Sequence, residues 1–139
     1  MTPSRPGQPP SRSENRIDSF RHAFAGWATL IRETPNARIH LAVGLAAVSL
    51  GLWLGISRLE WAIIWAMIGL VFTAEFVNSA LEATVDLASP ELHPLAKSAK
   101  DMAAGGVLFA ACAAVVVGLL ILGPPLAVRL FPGLKSLFY

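Results

Sequence analysis

Residues 72–101, FTAEFVNSALEATVDLASPELHPLAKSAKD, decide how the chain is interpreted. Glu75, Asn78, Glu82 and Asp86 follow one another at steps of three, four and four. On an α-helix, which turns about 100° per residue, these four side chains lie within roughly 80° of arc and share one face. The run 61–74 before them and the run 102–128 after them carry no charged residue. A polar stripe in so apolar a context is costly inside a bilayer, and it is therefore a candidate functional site.

The composition predicts an integral membrane protein of one domain. Of the 139 residues, 55% are hydrophobic and 14% are charged, against about 25% charged in soluble domains. The mean hydropathy is +0.59. The single cysteine, Cys112, excludes a disulfide or a CxxC site within one chain. His22, His40 and His93 lack the spacing of zinc ligands, so no zinc site is expected.

The first third of the chain divides into a tail and an amphipathic segment. Residues 1–15 are rich in Pro, Ser and Arg, which predicts a disordered tail and not a signal peptide. Within residues 17–33, apolar side chains repeat at four, three and four, namely Phe20, Phe24, Trp27 and Ile31. This spacing predicts a helix that lies at the membrane surface, and a helix packed against the spanning bundle is an equally good interpretation.

Three spanning helices are expected, at about 36–56, 59–88 and 94–122, which makes the fold class all-α. Thr34-Pro35 can end the surface helix and begin the first span, with Thr34 at the N-cap. Ser57 and Glu60 form a capping-box pattern at the start of the second span. Gly123-Pro124-Pro125 is expected to end the third span, which leaves 123–139 as a C-terminal tail and 16–122 as the membrane domain.

The basic residues set the expected orientation. Six of the eleven precede the first long apolar run: Arg5, Arg12, Arg16, Arg21, Arg32 and Arg38. The positive-inside rule then places the N-terminus on the cytoplasmic side of the membrane. With three spans, the connection between the second and third spans is cytoplasmic too, and the acidic stripe points towards it.

Glu75 is the most informative residue of the stripe. It lies about 21 Å along the helix from Trp61, within a hydrocarbon layer of roughly 30 Å, whereas Asp86 lies beyond that layer at about 37 Å. A carboxyl at that depth is a candidate base for an alcohol. The alternative is a protonated glutamic acid that bonds to a neighbouring helix.

The remaining polar residues suggest a site for a metal and phosphate. Glu82 with Asn78 suits Mg²⁺, which takes one or two carboxylates and completes its shell with phosphate and water. Lys100, beside Asp101, supplies a point charge for phosphate. The alternatives are a solvated acid at a helix end and lysines that only mark the membrane boundary. The chain has no GxxxxGK[ST] loop, no kinase glycine loop and no GxSxG elbow.

Two segments carry a resemblance to a known family. The segment EFVNSALEATVD (75–86) and the segment HPLAKSAKDMAAG (93–105) contain the pattern E-x-x-N-[ST]-A-[IL]-E followed by K-D-x-[AG]. The chain in this respect resembles the prokaryotic diacylglycerol kinases, small trimeric membrane kinases that include undecaprenol kinases. The similarity extends from about residue 20 to residue 122. The segment NARIH (36–40) is more similar to the undecaprenol kinase branch.

The resemblance implies phosphorylation of a lipid alcohol by MgATP in a homotrimer with sites between protomers. By motif position it implies that Glu75 is the catalytic base and that Glu82 is a magnesium ligand. It implies active-site positions that organise substrate, phosphates or metal at Asn78, Asp86, Lys100 and Asp101. The family also has a metal-binding glutamate just before the first span; Thr34 stands near that place here, and Glu33 is the nearest candidate.

Other functions fit the same residues. A small oligomer could use Glu75 to conduct protons or cations, and the chain could also be a non-catalytic membrane subunit. Conduction leaves Lys100 and Asp101 without a role. Between undecaprenol and diacylglycerol as the acceptor, the sequence does not decide.

Overall fold

The computed structural model describes residues 16–89 and 93–134, and the regular secondary structure of these residues is entirely helical. Its elements are α1 (Arg16–Glu33), α2 (Pro35–Leu54), α3 (Arg58–Ala88), α4 (Pro94–Leu130) and a short 3-10 turn at Pro132–Leu134. The all-α prediction is confirmed. The tail predicted to be disordered, 1–15, lies outside the described residues.

Helices α2, α3 and α4 are long and apolar enough to cross a membrane, which makes the chain a multi-pass membrane protein. At 1.5 Å per residue they measure about 30, 46 and 55 Å, so that α3 and α4 are longer than a hydrocarbon layer of roughly 30 Å. Large apolar side chains such as Trp65, Phe109 and Leu120 are exposed. An apolar exterior of this kind is the surface expected against lipid or another chain.

The connection between α2 and α3 is short because local residues end one helix and begin the next. Gly55 ends α2 in the left-handed conformation, with φ of 70°. The Ser57 backbone N–H donates to Glu60 Oε2 at 2.6 Å, and the Glu60 N–H donates to Ser57 Oγ at 3.3 Å. This reciprocal pair is the predicted capping box. Gly51 permits the close turn, since a Cβ there would lie 3.1 Å from the side chains of Ile56 and Trp61.

The predicted end of the third span at Gly123 is wrong. Helix α4 continues through Pro124 and Pro125 to Leu130. Proline costs a hydrogen bond to the preceding turn, but its fixed φ is compatible with a helix. In the added turns, the Arg129 guanidinium lies 4.6 Å from the centroid of the Trp53 ring of α2, a cation–π contact between two helices.

Helix α1 is packed against the bundle along one side. The Trp27 ring lies 5.0 Å from the ring of Phe72 and 4.8 Å, edge-on, from that of Phe76. Leu30 and Ala37 complete a small buried cluster with Phe72. This cluster accounts for the part of the apolar repeat that lies in the C-terminal turns of α1.

The other part of the same repeat faces outward. Phe20 and Phe24 are exposed, Phe24 by 72%. The two interpretations of this helix therefore apply to different residues: its C-terminal turns are packed against the bundle, and its N-terminal turns offer aromatic side chains to the surroundings.

The junction between α1 and α2 is fixed by polar contacts. The Arg38 side chain donates to the backbone carbonyl of Ile31 at 2.8 Å and to that of Arg32. These carbonyls lie in the last turn of α1, where a cation is favourable. Thr34 occupies the N-cap position of α2 as predicted, but its side chain makes no capping bond. Its Oγ1 lies 3.4 Å from Ser79 Oγ on α3 instead.

Trp27→Ala should release α1 from the bundle. Two aromatic pairs at about 0.5–1.5 kcal/mol each predict a loss of about 1–3 kcal/mol in the docking free energy. Hydrogen exchange of the α1 amides in detergent micelles measures it. Phe24→Ala is the matched control, since that side chain is exposed. Equal protection of α1 in wild type and Trp27→Ala would show that the packing does not hold the helix.

Candidate functional site

The acidic stripe of α3 passes from buried to exposed along the helix. Glu75 is 1% exposed and Asn78 is 8% exposed. Glu82, one turn further, is partly buried, and Asp86 is exposed. Four residues that share one helical face therefore occupy three different environments.

Three helices enclose the buried end of the stripe in a cavity of about 300 Å³, called the polar cavity below. Its α3 wall is Glu75, Asn78 and Glu82, and α2 contributes Asn36, Ile39 and His40. The α4 wall is formed by small and apolar side chains: Ala104, Val107, Leu108 and Ala111. The predicted residues Glu75, Asn78 and Glu82 are thus brought together.

Polar groups inside this cavity are only partly paired. Asn78 Nδ2 donates to Glu82 Oε1 at 3.3 Å. Glu75 Oε1 lies 3.1 Å from His40 Nε2. This contact has the distance of a hydrogen bond but not its alignment, so Glu75 Oε1 has no hydrogen-bond partner among the described residues. Asn78 Oδ1 is likewise buried without a partner among them. Unpaired buried acceptors are uncommon and mark a place where a ligand or water can donate.

A second, larger cavity adjoins the first. It has a volume of about 700 Å³, lies between α2, α3 and α4, and is lined almost entirely by apolar side chains. Ile39, His40 and Ala111 line both cavities. A polar compartment beside an apolar one matches a molecule with a polar head and a hydrocarbon body.

Lys100 of α4 is held at the exposed end of the stripe. Its Nζ donates to Asp86 Oδ1 at 2.7 Å across the α3–α4 contact. Because both partners are partly exposed, the pair adds little stability. Its effect is to place an ammonium group beside the acidic stripe.

Two predicted residues lie elsewhere. Asp101 is exposed on α4, and Glu33 is the exposed last residue of α1; neither lines the polar cavity. No group of three or more His, Cys, Asp or Glu side chains that could hold a metal occurs within 16–89 and 93–134. Glu82 with Asn78 does suit Mg²⁺ that arrives with phosphate and keeps several waters, because Mg²⁺ takes one or two protein carboxylates.

Sequence reasoning missed His40 as a neighbour of Glu75. The available signal was the spacing of Asn36 and His40, which are four residues apart at the start of α2 and therefore on one face. That both face Glu75 depends on how α2 packs against α3.

Comparison with known proteins points to one family. The model of the family described as prokaryotic diacylglycerol kinase matches residues 21–122. An undecaprenol kinase of Bacillus subtilis (strain 168) is 43% identical over 108 residues, covering 78% of this chain and 88% of the relative. A diacylglycerol kinase of Synechocystis is 42% identical over 113 residues, covering 81% and 65% respectively. The diacylglycerol kinase of Escherichia coli (strain K12) is 36% identical over 104 residues, covering 75% and 82%.

Asn78→Leu should stabilise the fold. The substitution removes the buried, unpaired Oδ1, whose desolvation costs about 1–3 kcal/mol, while Glu82 can turn to water. Thermal unfolding in detergent measures the gain. The control is Val77→Leu on the exposed side of the same helix, which should leave the transition nearly unchanged. A lower unfolding temperature for Asn78→Leu than for wild type would contradict the assignment of Oδ1 as unsatisfied.

Proposed function

The chain belongs to the prokaryotic diacylglycerol kinase family and is a lipid kinase, and we propose that it transfers the γ-phosphoryl group of MgATP to the hydroxyl of a membrane lipid alcohol, undecaprenol or diacylglycerol. The observation that supports this proposal is the junction of the two cavities. A buried carboxylate, Glu75, lies in the polar cavity, which shares Ile39, His40 and Ala111 with the apolar cavity.

The acceptor lipid is proposed to enter from the bilayer side. Its hydrocarbon body would lie against the apolar cavity, and its hydroxyl would reach the polar cavity. This orientation puts the hydroxyl beside Glu75 and keeps bulk water away from it.

Glu75 is the proposed general base. Its carboxylate accepts the proton of the lipid hydroxyl as that oxygen bonds to the γ-phosphorus. The bond from the γ-phosphorus to the bridging oxygen then breaks, and ADP leaves. The surroundings of Glu75 suit this role, because its carboxyl is 1% exposed and lines the polar cavity.

The exposed end of the stripe is the proposed phosphate side. Glu82, with Asn78 beside it, would hold Mg²⁺, which when bound offsets negative charge on the phosphate oxygens. Lys100 is held by Asp86 at 2.7 Å and would turn to the phosphates. Asp101, the residue after Lys100 on α4, is exposed and would act at the rim of the site.

Glu33 is proposed as a further metal ligand. It is exposed at the end of α1. The adjoining Thr34, whose Oγ1 is 3.4 Å from Ser79 Oγ, is the residue that contacts α3. A role for Glu33 therefore requires its side chain to turn towards α3 when metal and phosphate bind.

The proposed setting is a bacterial plasma membrane with the N-terminus in the cytoplasm, where ATP is present. A homotrimer with sites between protomers is proposed as the assembly. The apolar exterior and the open cavities leave room for a second copy to complete the site.

Glu75→Gln should lower kcat by at least about 100-fold, because the amide cannot accept the proton. The KM for MgATP should change little, since the phosphates bind at the other end of the stripe. Lipid phosphorylation in vesicles measures both values. Asp18→Asn, an exposed acid on α1, is the control and should behave as wild type. Near-normal turnover by Glu75→Gln would remove Glu75 as the base.

Transfer should depend on magnesium and on the lipid hydroxyl. Labelled γ-phosphate should be transferred to undecaprenol or diacylglycerol, supplied in parallel. The transfer should stop when EDTA removes Mg²⁺ and resume when Mg²⁺ is restored. The parallel assay also identifies the preferred acceptor. Transfer that persists at full rate in EDTA would contradict the proposed metal.

A further inference from the structure

Among the described residues, the side-chain nitrogen recorded beside the buried carboxylate of Glu75 belongs to His40. His40 of α2 places its Nε2 3.1 Å from Glu75 Oε1, while Glu75 is 1% exposed and His40 is partly exposed. A carboxylate within the apolar layer is costly unless a donor or a cation compensates it. The source of that compensation decides how the carboxylate is oriented.

Other described donors near the polar cavity are already used or lie away from Oε1. Asn78 donates its Nδ2 to Glu82. Arg38 has its guanidinium on the carbonyls of Ile31 and Arg32. The α4 wall consists of alanine, valine and leucine side chains, and Asn36 is exposed at the rim.

The place of His40 is fixed by its neighbours. Arg38, two residues earlier, fastens the first turns of α2 to the last turn of α1. Ala37 is fully buried in the cluster with Leu30 and Phe72. The backbone that carries His40 is therefore anchored on both α1 and α3, and the imidazole is presented to Glu75 by a rigid element.

We propose that His40 is a positioning residue for Glu75: its Nε2–H donates to Oε1 and leaves the second carboxylate oxygen directed at the acceptor hydroxyl. This inference rests on the proposed function of Glu75 as the base. The 3.1 Å separation is already within hydrogen-bond distance. The imidazole turns about Cβ–Cγ, a soft torsion, and catalytic hydrogen bonds commonly tighten when substrate binds.

The same contact explains the position of His40 in the wall shared by the two cavities. An acceptor hydroxyl must pass from the apolar cavity to the polar one, and both are lined by His40. By holding one oxygen of Glu75, the imidazole defines which side of the carboxylate the hydroxyl meets. A misplacement of about 1 Å there costs about 100-fold in rate.

Three substitutions of the full-length protein in lipid vesicles test this. His40→Ala should lower kcat about 10- to 100-fold, with KM for MgATP within about twofold of wild type. His40→Gln should recover most of kcat, because its amide nitrogen reaches about as far as Nε2. His40→Asn should not, because its amide is one bond shorter. His22→Ala, an exposed histidine on α1, is the control.

A double-mutant cycle separates positioning from packing. If His40 acts through Glu75, His40→Ala should cause no further loss of kcat in the Glu75→Gln background. The inference is overturned if all three variants keep wild-type kcat. It is also overturned if all three lose kcat and thermal stability equally, which is the result of a packing role.

The cycle also distinguishes the two proposals from each other. Wild-type turnover by Glu75→Gln would remove the proposed base itself. An inactive Glu75→Gln together with a fully active His40→Ala would leave the base in place and overturn the positioning role alone.

Discussion

The cost of holding a carboxylate inside an apolar helix bundle constrains the rest of this structure. Glu75 is almost completely buried on a helix that is otherwise suited to a membrane. In such surroundings an ionised group needs polar neighbours, and an unpaired one is destabilising by several kcal/mol. Asn78 and His40 line the same cavity as Glu75, and small residues of α4 line the opposite wall. The resulting cavity is the candidate site.

The two ends of the bundle are tightly joined, whereas the middle is open. At one end, Trp27 packs on α3 and Arg38 binds the carbonyls that end α1. At the other, the Ser57–Glu60 capping box closes the short turn, and Arg129 lies over Trp53. Between them, α2 leaves a cavity of about 700 Å³ against α3 and α4. Rigid ends around an open centre let the site accept a ligand without loss of the fold.

In the proposed function, phosphoryl transfer is organised without a phosphate-binding loop. The sequence contains no Walker motif and no kinase glycine loop. Its charges are instead ordered along one helix face, from the buried Glu75 to the exposed Asp86 with Lys100. Under the proposal, an acceptor from the bilayer and a nucleotide from water would meet along that helix face. The physical basis is electrostatic positioning, which dominates catalysis in such transfers.

The sequence by itself determined the elements that depend on neighbours along the chain. The helices, the capping box and the common face of Glu75, Asn78 and Glu82 follow from local periodicity and cap chemistry. Tertiary structure alone decided that His40 lies beside Glu75 and that the polar and apolar cavities adjoin. The structure also shows that α4 continues past Pro124, in turns where Arg129 contacts Trp53 of another helix. These features depend on contacts between residues that are far apart in sequence, and no local pattern encodes such contacts.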